Sequence, residues 1–286
     1  MAELLKGKPV ADAIDQDIIT DTAGLKEKGI IPTLAVFRVG KRDDDLSYER
    51  AIQKKCEMTG IRMLSYVFEN EVPEAEFYQK LQEANKDPMI HGILVFRPLP
   101  KRFDDEILRN SINVEKDVDG CSDLSLAGVF TGKSLGFAPC TAQAVIEILD
   151  YYKIQIDGSN VAVLGRSLVI GRPVSMLLMK RNATVAICHT RTRNTPEIAA
   201  KADILVCATG QMESVTEEYV HQRQSVIDVG IAWNEEKKKL CGDVLFETVE
   251  PLVRQITPVP GGVGSVTVSV LCRHVIEACK RNQKQE

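Results

Sequence analysis

Short apolar runs alternate with longer amphipathic stretches along most of the chain. The apolar runs have the length of strands, and they cover residues 33–40, 63–69, 92–100, 160–165, 184–189, 204–210 and 225–231. Apolar residues recur at helical spacing in residues 46–61, 73–87, 140–154, 172–181, 197–202 and 265–281. Because strands and helices alternate, the pattern predicts an α/β fold with parallel sheets joined by right-handed crossovers.

Two domains are expected from a chain of 286 residues. The boundary is predicted near residue 145, inside a helix, so that the first domain spans residues 1–145 and the second spans residues 146–269. The second domain contains the last four apolar runs and is predicted to be a Rossmann-like half.

Composition and charge argue against several kinds of partner. Hydrophobic residues make up 44% of the chain and charged residues 27%, which is typical of a globular protein. The net charge is −4 and the longest basic run is short, so nucleic acid is not expected as a partner. No apolar stretch approaches the ~20 residues that span a bilayer, so no membrane partner is expected. The N-terminus lacks the apolar segment of a secretion signal.

The cysteines favour a cytoplasmic protein. Eight cysteines occur without a CxxC pair, and several lie inside apolar runs, which is typical of buried and reduced thiols. The four histidines show no metal-ligand spacing, so no metal is expected.

The segment VAVLGRSLVIGRPVS at 161–175 resembles a dinucleotide-binding turn. Gly165 ends the apolar run, Gly171 begins the next helix, and Ser167 stands where the middle glycine is usual. Pro173 suits the first turn of that helix, and the backbone N–H groups at its start would bind phosphate. An ordinary glycine-containing turn is the alternative.

The following strand favours NADP over NAD. It ends in HTRTRN at 189–194, where an NAD enzyme usually carries an acidic residue. Thr190 offers a hydrogen bond, and Arg191, Arg193 and Arg166 offer positive charge, which suits a 2′-phosphate. The alternative is that these arginines belong to a solvated surface loop.

Several segments together resemble the bifunctional methylenetetrahydrofolate dehydrogenase/cyclohydrolase (FolD) family. In the family's order, they are KDVDG (116–120), PCTAQAV (139–145), GRSLVIGRP (165–173), IDVGI (227–231), GDV (242–244) and TPVPGGVGSVT (257–267). The resemblance extends from about residue 3 to about residue 281. It implies two α/β domains around a cleft, the second a Rossmann-like NAD(P)-binding domain. Residues 1–145 would be the catalytic, folate-binding domain, and the C-terminal helix 270–286 would pack back on it.

The resemblance also implies an activity in one-carbon metabolism. Family members transfer a hydride from 5,10-methylenetetrahydrofolate to NADP and then hydrolyse the methenyl product to 10-formyltetrahydrofolate. A tetrahydrofolate derivative would be the substrate and NADP the cofactor, with NAD as the alternative. The family further implies a homodimer joined through the Rossmann domains.

The family's site residues transfer to this chain position by position. Tyr48 and Asp119 would be the catalytic and substrate-binding side chains, with Tyr48 packing on the aminobenzoyl group. Asp119 would accept two hydrogen bonds from the pterin. Further substrate-binding residues would be Pro260, Gly261 and Gly262. Cofactor-binding residues would be Gly165, Arg166, Ser167, Gly171, Pro173, His189, Thr190, Arg191, Thr209, Gly210, Ile231, Gly264 and Thr267.

The chain departs from the family pattern at positions that serve hydrolysis. Ile52 replaces the lysine four residues after the tyrosine, and Phe96 replaces the glutamine of V-Q-L-P-L-P. Asp45 and Ser265 replace a serine and a proline. Because Ile52 and Phe96 carry no proton and no lone pair, we predict a dehydrogenase with weak or absent cyclohydrolase activity.

Three alternatives remain open. A fully bifunctional enzyme would use Lys54, Lys55 or Arg97 in place of the missing lysine. A binding or regulatory protein without turnover would have an eroded site. A Rossmann reductase with another substrate would require the family segments to be coincidental.

Overall fold

The computed structural model describes residues 1–283, which form two compact units. One unit comprises Met1–Asp12 and Thr141–Thr267, and the other comprises Ala13–Cys140 and the chain from Val268 onwards. Residues 284–286, the end of the predicted helix 270–286, lie outside the described residues.

Strands and helices alternate through most of the described chain. The strands are β1 (Glu3–Leu4), β2 (Thr33–Val39), β3 (Arg62–Phe68), β4 (Gly92–Val95), β5 (Asn160–Leu164), β6 (Thr184–Cys188), β7 (Ile204–Cys207), β8 (Ser225–Asp228), β9 (Ala232–Asn234), β10 (Lys239–Cys241) and β11 (Gln255–Ile256). The helices are α1 (Gly7–Glu27), α2 (Asp43–Thr59), α3 (Glu74–Lys86), α4 (Asp105–Asn110), α5 (Asp123–Thr131), α6 (Cys140–Tyr151), α7 (Gly171–Lys180), α8 (Thr195–Ala199), α9 (Phe246–Val249) and α10 (Val263–Asn282). Within residues 1–283, no helix combines the length and the apolar character that crossing a bilayer requires.

A six-stranded parallel sheet forms the centre of the unit that contains Thr141–Thr267. Its strand order is β1-β11-β8-β7-β5-β6, and every neighbouring pair is parallel. The inner strands β7 and β8 are buried along their whole length. The sequence of β7 is apolar throughout, as is typical of a strand covered on both faces. Strands β9 and β10 form a separate antiparallel hairpin.

The first twelve residues differ from the predicted domain limits. The sequence placed residues 1–145 in one domain, but residues 1–12 belong to the unit with the six-stranded sheet. The reason is that β1 adds to the edge of that sheet, where Glu3 pairs with Gln255 and Leu4 with Ile256. Two residues of strand are too short for an alternation of apolar and polar positions to be visible in the sequence.

The other unit is built on a three-stranded parallel sheet in the order β3-β2-β4. Strand β2 is buried along its whole length in the middle of the sheet. Phe37 of β2 stacks on Tyr66 with ring centroids 4.5 Å apart, and Phe77 of α3 meets Phe37 edge-on at 5.8 Å. These aromatic contacts fix α3 against the sheet, so that the segments after α3 and β4 are held in place.

Helix α1 departs from the pattern-based prediction, whereas β4 agrees with it. The pattern predicted no helix over residues 7–27, yet α1 covers them and buries Val10, Ile14 and Ile18 at intervals of one turn. The segment 92–100 was predicted as a strand that ends in a proline-rich loop, and β4 ends at Val95, before Pro98 and Pro100, which cannot donate backbone hydrogen bonds.

Candidate functional site

The carboxyl ends of three neighbouring strands meet beside the glycine-containing turn. The N–H of Gly165, directly after β5, donates to the carbonyl of Cys188 in β6 at 2.8 Å. The N–H of Ala208, directly after β7, donates to the carbonyl of Leu164 at 2.8 Å. This edge of a parallel sheet is where ligands bind in open α/β folds.

The two glycines of the turn allow α7 to begin against the end of β5. Gly165 has a φ of +117°, which disfavours any side chain, and a Cβ there would collide with the carbonyl of Ala208. A Cβ on Gly171 would lie 2.5 Å from the carbonyl carbon of Gly165 and 2.8 Å from the nitrogen of Arg166. The close approach leaves the start of α7 open to a phosphate group, so the turn fits a dinucleotide.

Ser167 stabilises the turn in the position where the middle glycine is usual. Its Oγ accepts a hydrogen bond from the N–H of Ile170 at 3.2 Å, and its carbonyl accepts from the N–H of Arg172 at 3.1 Å. The serine therefore holds the backbone that leads into α7.

A cavity of about 350 Å³ opens beside this turn. Six of the predicted cofactor-binding residues line it: Gly165, Arg166, Ser167, His189, Thr190 and Thr209. It is also lined by residues that the sequence did not single out: Leu164, Cys188, Thr195, Ala208, Gln211, Ser214, Val215 and Tyr219. Most of these lie in loops that turn back to the sheet edge, and no local motif marks them.

The loop after β6 is organised around His189. The N–H of Arg191 donates to Nδ1 of His189 at 3.1 Å, and the N–H of His189 donates to Oγ1 of Thr192 at 2.9 Å. Neutral His189 therefore carries its proton on Nε2. Arg191 and Arg166 are exposed, so their guanidinium groups are accessible to an anionic ligand.

The remaining predicted cofactor-binding residues of this unit are not among those that line the cavity. Gly171 and Pro173 are buried in the first turn of α7, Gly210 follows Thr209, Ile231 is 61% exposed after β8, and Gly264 and Thr267 lie in the first turns of α10.

The loop TPVPGGVG packs against the beginning of α1. The N–H of Gly7 donates to the carbonyl of Gly261 at 2.8 Å, and Gly261 has a φ of +99°. A Cβ on Gly262 would lie 2.5 Å from the carbonyl oxygen of Pro258. Pro260 and Gly261 remain exposed at the tip, so their backbone is accessible to a ligand.

In the other unit, two residues of KDVDG have structural roles. Lys116 is buried, and its Nζ donates to the carbonyls of Ala84 at 3.0 Å and Asp87 at 2.6 Å, at the end of α3. Burial lowers the pKa of Lys116, while the charge of Asp87 raises it. Cations are stabilised at this end of a helix, so Lys116 ties the segment to α3.

Asp117 is completely buried and fixes the start of α5. Its carboxylate accepts hydrogen bonds from the N–H groups of Cys121 at 3.0 Å and Ser122 at 2.8 Å, and from Oγ of Ser125 at 2.6 Å. Three donors keep a buried carboxylate satisfied. The turn that carries Asp119 is thereby held from both sides.

Asp119 carries a carboxyl whose pKa is shifted by burial and by two charged neighbours. Burial raises the pKa of its carboxyl to about 6, the charge of Arg97 opposes this rise, and the charge of Asp117 adds to it. A hydrogen bond from the Cys140 thiol also lowers the pKa. At neutral pH most of the Asp119 carboxyl is therefore ionised and can accept hydrogen bonds from a ligand.

Two apolar side chains, Ile52 and Phe96, lie near Tyr48. Ile52, one turn later in α2, is fully buried, and the buried ring of Phe96 lies 5.6 Å from the Tyr48 ring. Burial raises the pKa of Tyr48 well above its usual value, and the charges of Asp119 and Cys140 add to this. The phenol therefore stays neutral under ordinary conditions.

One lysine shares the face of α2 that carries Tyr48 and Ile52. Lys55 follows Tyr48 by seven residues, which is two helical turns, and it forms an ion pair with the buried Asp15. A hydrogen bond with Cys56 and burial raise the pKa of the Cys272 thiol, and the charge of Lys55 opposes this rise. Burial is the main cause of the raised pKa of Tyr48, and the charge of Cys272 adds to it. Lys55 and Tyr48 are therefore both close to Cys272.

Lys54 and Arg97, the other two candidates for the missing lysine, have different surroundings from Lys55. Lys54 is exposed. Nη1 of Arg97 lies 3.5 Å from Oδ1 of Asp105, and its charge also reaches Asp119. Arg97 is therefore an electrostatic neighbour of the Asp119 carboxyl.

Two family descriptions match most of the chain. The catalytic domain of tetrahydrofolate dehydrogenase/cyclohydrolase matches residues 5–119, and its NAD(P)-binding domain matches residues 139–283. The bifunctional protein FolD of Carboxydothermus hydrogenoformans is 49% identical over 281 residues, which cover 98% of this chain and 98% of that protein.

Solved structures agree over the same length. The bifunctional FolD enzyme of Campylobacter jejuni superposes with a TM-score of 0.95 at 33% identity, covering 98% of this chain and 99% of that chain. The FolD of Trypanosoma brucei, complexed with NADP cofactor and inhibitor, gives a TM-score of 0.92 at 33% identity and covers 99% of each chain. The predicted family and its two-domain α/β fold are confirmed, and this chain belongs to the tetrahydrofolate dehydrogenase/cyclohydrolase family.

Proposed function

We propose that this protein is an NADP-dependent 5,10-methylenetetrahydrofolate dehydrogenase with little or no methenyltetrahydrofolate cyclohydrolase activity. The observation that carries the proposal is the buried pair Ile52 and Phe96 beside Tyr48, in a chain whose dinucleotide turn is intact. The relatives from Carboxydothermus hydrogenoformans and Campylobacter jejuni are named bifunctional, so the proposal sets this chain apart from those two proteins.

The turn and cavity of the sheet edge support NADP as the cofactor. Gly165 and Gly171 give backbone access to a pyrophosphate at the start of α7, and Arg166 and Arg191 supply accessible positive charge for a 2′-phosphate. NADP supplies the hydride acceptor. A solved relative is complexed with NADP, which supports the same choice here, and NAD is the alternative.

Asp119 and Tyr48 are proposed to bind the folate. An ionised carboxylate accepts two hydrogen bonds from a pterin's amino and ring N–H groups, and Lys116 and Asp117 hold the Asp119 turn in place for this. The Tyr48 ring offers a flat apolar surface to an aminobenzoyl group. Pro260, Gly261 and Gly262 are proposed to contribute backbone contacts.

The two family reactions make different demands on the protein. Hydride transfer requires mainly that the two reacting carbons are bound at the right distance and angle. Addition of water requires a group that moves a proton, and such a group contributes roughly 10²–10⁴-fold. Ile52 and Phe96 cannot move a proton, but they exclude water and so protect a cationic methenyl product.

A second candidate function is the full bifunctional activity, with Lys55 as the proton-transfer group. The observation that favours it is the position of Lys55 on the Tyr48 face of α2, with an 18% exposed side chain that is paired with Asp15. An ammonium in this partly buried setting is a better proton donor than the guanidinium of Arg97, which stays protonated.

We also propose a homodimer joined through the unit with the six-stranded sheet. Strand β6 lies at the edge of that sheet, and Ile187 in this strand is 36% exposed. An exposed apolar edge strand is a surface that another copy of the chain covers favourably.

The full-length chain is expected to reduce NADP with 5,10-methylenetetrahydrofolate as donor, and to reduce NAD less efficiently. In the same preparation, loss of methenyltetrahydrofolate absorbance should proceed at the spontaneous rate. Absence of NADP and NAD reduction would contradict the dehydrogenase proposal, and hydrolysis far above the spontaneous rate would contradict the loss of cyclohydrolase.

The variant Ile52→Lys/Phe96→Gln is expected to hydrolyse methenyltetrahydrofolate at least about tenfold above the spontaneous rate, because a buried lysine has a lowered pKa and transfers protons readily. Its matched control is Ile52→Met/Phe96→Leu, which keeps both positions apolar and should show no increase in the hydrolysis rate. If the lysine variant also gains nothing while it still reduces NADP, other departures such as Asp45 or Ser265 cause the loss.

The Lys55 candidate makes the opposite prediction for the wild type. If Lys55 transfers the proton, the wild type hydrolyses the methenyl compound, and Asp15→Asn/Lys55→Met loses about tenfold or more of that rate while it keeps NADP reduction. Both partners are changed together because a lone buried Asp15 carboxylate would destabilise the fold. Lys54→Met is the control, and equal hydrolysis in wild type and double variant would exclude Lys55.

The rate of methylenetetrahydrofolate oxidation is expected to fall at acidic pH as Asp119 becomes protonated, because only the ionised carboxyl accepts both pterin hydrogen bonds. The kcat/KM for methylenetetrahydrofolate should decrease as the pH falls through the Asp119 pKa of about 6. Arg97→Leu removes the charge that opposes the raised pKa, so the inflection should move to higher pH. If the variant raises the pKa of Asp119 by about one unit, its kcat/KM at pH 6.5 should be about threefold below that of the wild type.

The pH profile has a matched control in Lys101→Leu, which removes an exposed cation from the same loop. This variant should keep the wild-type inflection. An unchanged inflection in Arg97→Leu would contradict the coupling between Arg97 and Asp119.

Sedimentation velocity is expected to give a mass about twice that of one 31.7 kDa chain. Ile187→Asp should shift the protein towards monomer, because a charge on the edge strand disfavours pairing. Val67, 47% exposed on the edge strand β3 of the other unit, supplies the control Val67→Asp. A wild type that sediments as a monomer would contradict the dimer.

A further inference from the structure

We propose that Asp243 is a positioning residue for nucleotide binding, which holds the Thr209–Gly210 segment of the cavity wall through its buried carboxylate. The inference rests on the proposed NADP-dependent function and extends it to a residue outside the glycine-containing turn. The GDV segment that carries Asp243 was recognised in the sequence without a physical role.

The carboxylate of Asp243 ends directly behind the cavity wall. Its Oδ2 accepts hydrogen bonds from the N–H of Thr209 at 2.6 Å and from the N–H of Gly210 at 3.1 Å. Asp243 is only 2% exposed, and Thr209 lines the cavity. A buried acceptor therefore fixes two successive peptide groups at the carboxyl end of β7.

Asp243 is itself held by a second buried carboxylate. Oδ1 of Asp228, the last residue of β8, accepts from the N–H groups of Asp243 and Gly230, each at 3.0 Å. Its Oδ2 accepts from the N–H of Val244 at 3.0 Å. The path Asp228–Asp243–Thr209 therefore connects the end of β8 to the cavity wall; we call it the carboxylate relay.

The chain around the relay leaves room only for glycine. A Cβ on Gly242 would lie 2.6 Å from Cγ of Asp228, and a Cβ on Gly230 would lie 2.6 Å from the nitrogen of Asp243. Such contacts are too close for any side chain. The two glycines therefore belong to the same arrangement as the two carboxylates.

The wall that the relay holds also carries side-chain contacts of the cavity. Oγ1 of Thr209 lies 3.2 Å from Oγ of Ser214, and both residues line the cavity. Loss of the Asp243 carboxylate leaves two peptide N–H groups without their acceptor, so the segment has to move or recruit water. Either change alters the shape of the surface that faces the nucleotide.

The test measures NADPH binding directly, by the change in NADPH fluorescence, alongside the steady-state constants. Asp243→Ala is expected to raise the Kd for NADPH and the KM for NADP about tenfold or more, since a charge-assisted acceptor is lost. The KM for methylenetetrahydrofolate should stay within about twofold. Asp243→Asn keeps an acceptor oxygen without the charge, and about a threefold rise in Kd is expected.

Asp203→Ala is the matched control. Oδ2 of Asp203 also accepts a backbone N–H, from Asn160 at 2.8 Å, but at the opposite end of the same sheet. It should keep the wild-type Kd. A wild-type Kd in both Asp243 variants overturns the inference, and if Asp243→Ala does not fold, a wild-type Kd in Asp243→Asn overturns it alone. A wild type that neither binds NADPH nor reduces NADP instead contradicts the proposed function.

Discussion

Buried carboxylates that accept backbone N–H groups fix the candidate site segments in both units. In one unit, Asp117 is fully buried and binds two N–H groups and a hydroxyl at the start of α5. In the other, Asp228 and Asp243 bind the peptides that follow β7 and β8. A buried carboxylate is costly unless its oxygens are satisfied, so each one requires a unique arrangement of the loops around it.

This constraint explains how neighbouring acidic residues have different tasks. Asp117 and Asp119 are two positions apart in one turn. The oxygens of Asp117 accept hydrogen bonds from the surrounding chain. Among residues 1–283, Asp119 lacks a comparable set of donors, and burial raises the pKa of its carboxyl to about 6. The segment around them is held by Lys116 at the end of α3, so Asp119 is free to interact with a ligand.

Sequence reasoning succeeds where the chemistry is local. The spacing of Gly165 and Gly171 indicated a strand, a tight turn and a helix, and a Cβ at either position would collide with neighbouring backbone. The burial of Ile52 likewise follows from its place one turn after Tyr48 on α2. In such cases the residue and the partner that explains it lie in one element or in consecutive elements.

The pattern fails where the partner is distant in the chain. Ser214 and Tyr219 reach the cavity only because their loop returns to the sheet edge. Lys55 could be named as a cation, but its pairing with Asp15, forty residues earlier in α1, was not visible without the helix. The strand β1 was not predicted for the same reason, because its two residues are recognisable as a strand only through their pairing with β11.

The proposed separation of the two activities depends on side chains beside Tyr48, in a chain that keeps the family fold. Exchange of an amine and an amide for buried hydrocarbon removes proton transfer, but it adds apolar contacts, and Ile52 and Phe96 are now part of the packed interior. Asp119 and Thr209, which are proposed to contact the folate and the nucleotide, lie in segments that the carboxylates above hold in place. Under the proposed function, loss of hydrolysis would require no loss of stability or of binding, because hydride transfer requires mainly that the two reacting carbons are correctly positioned.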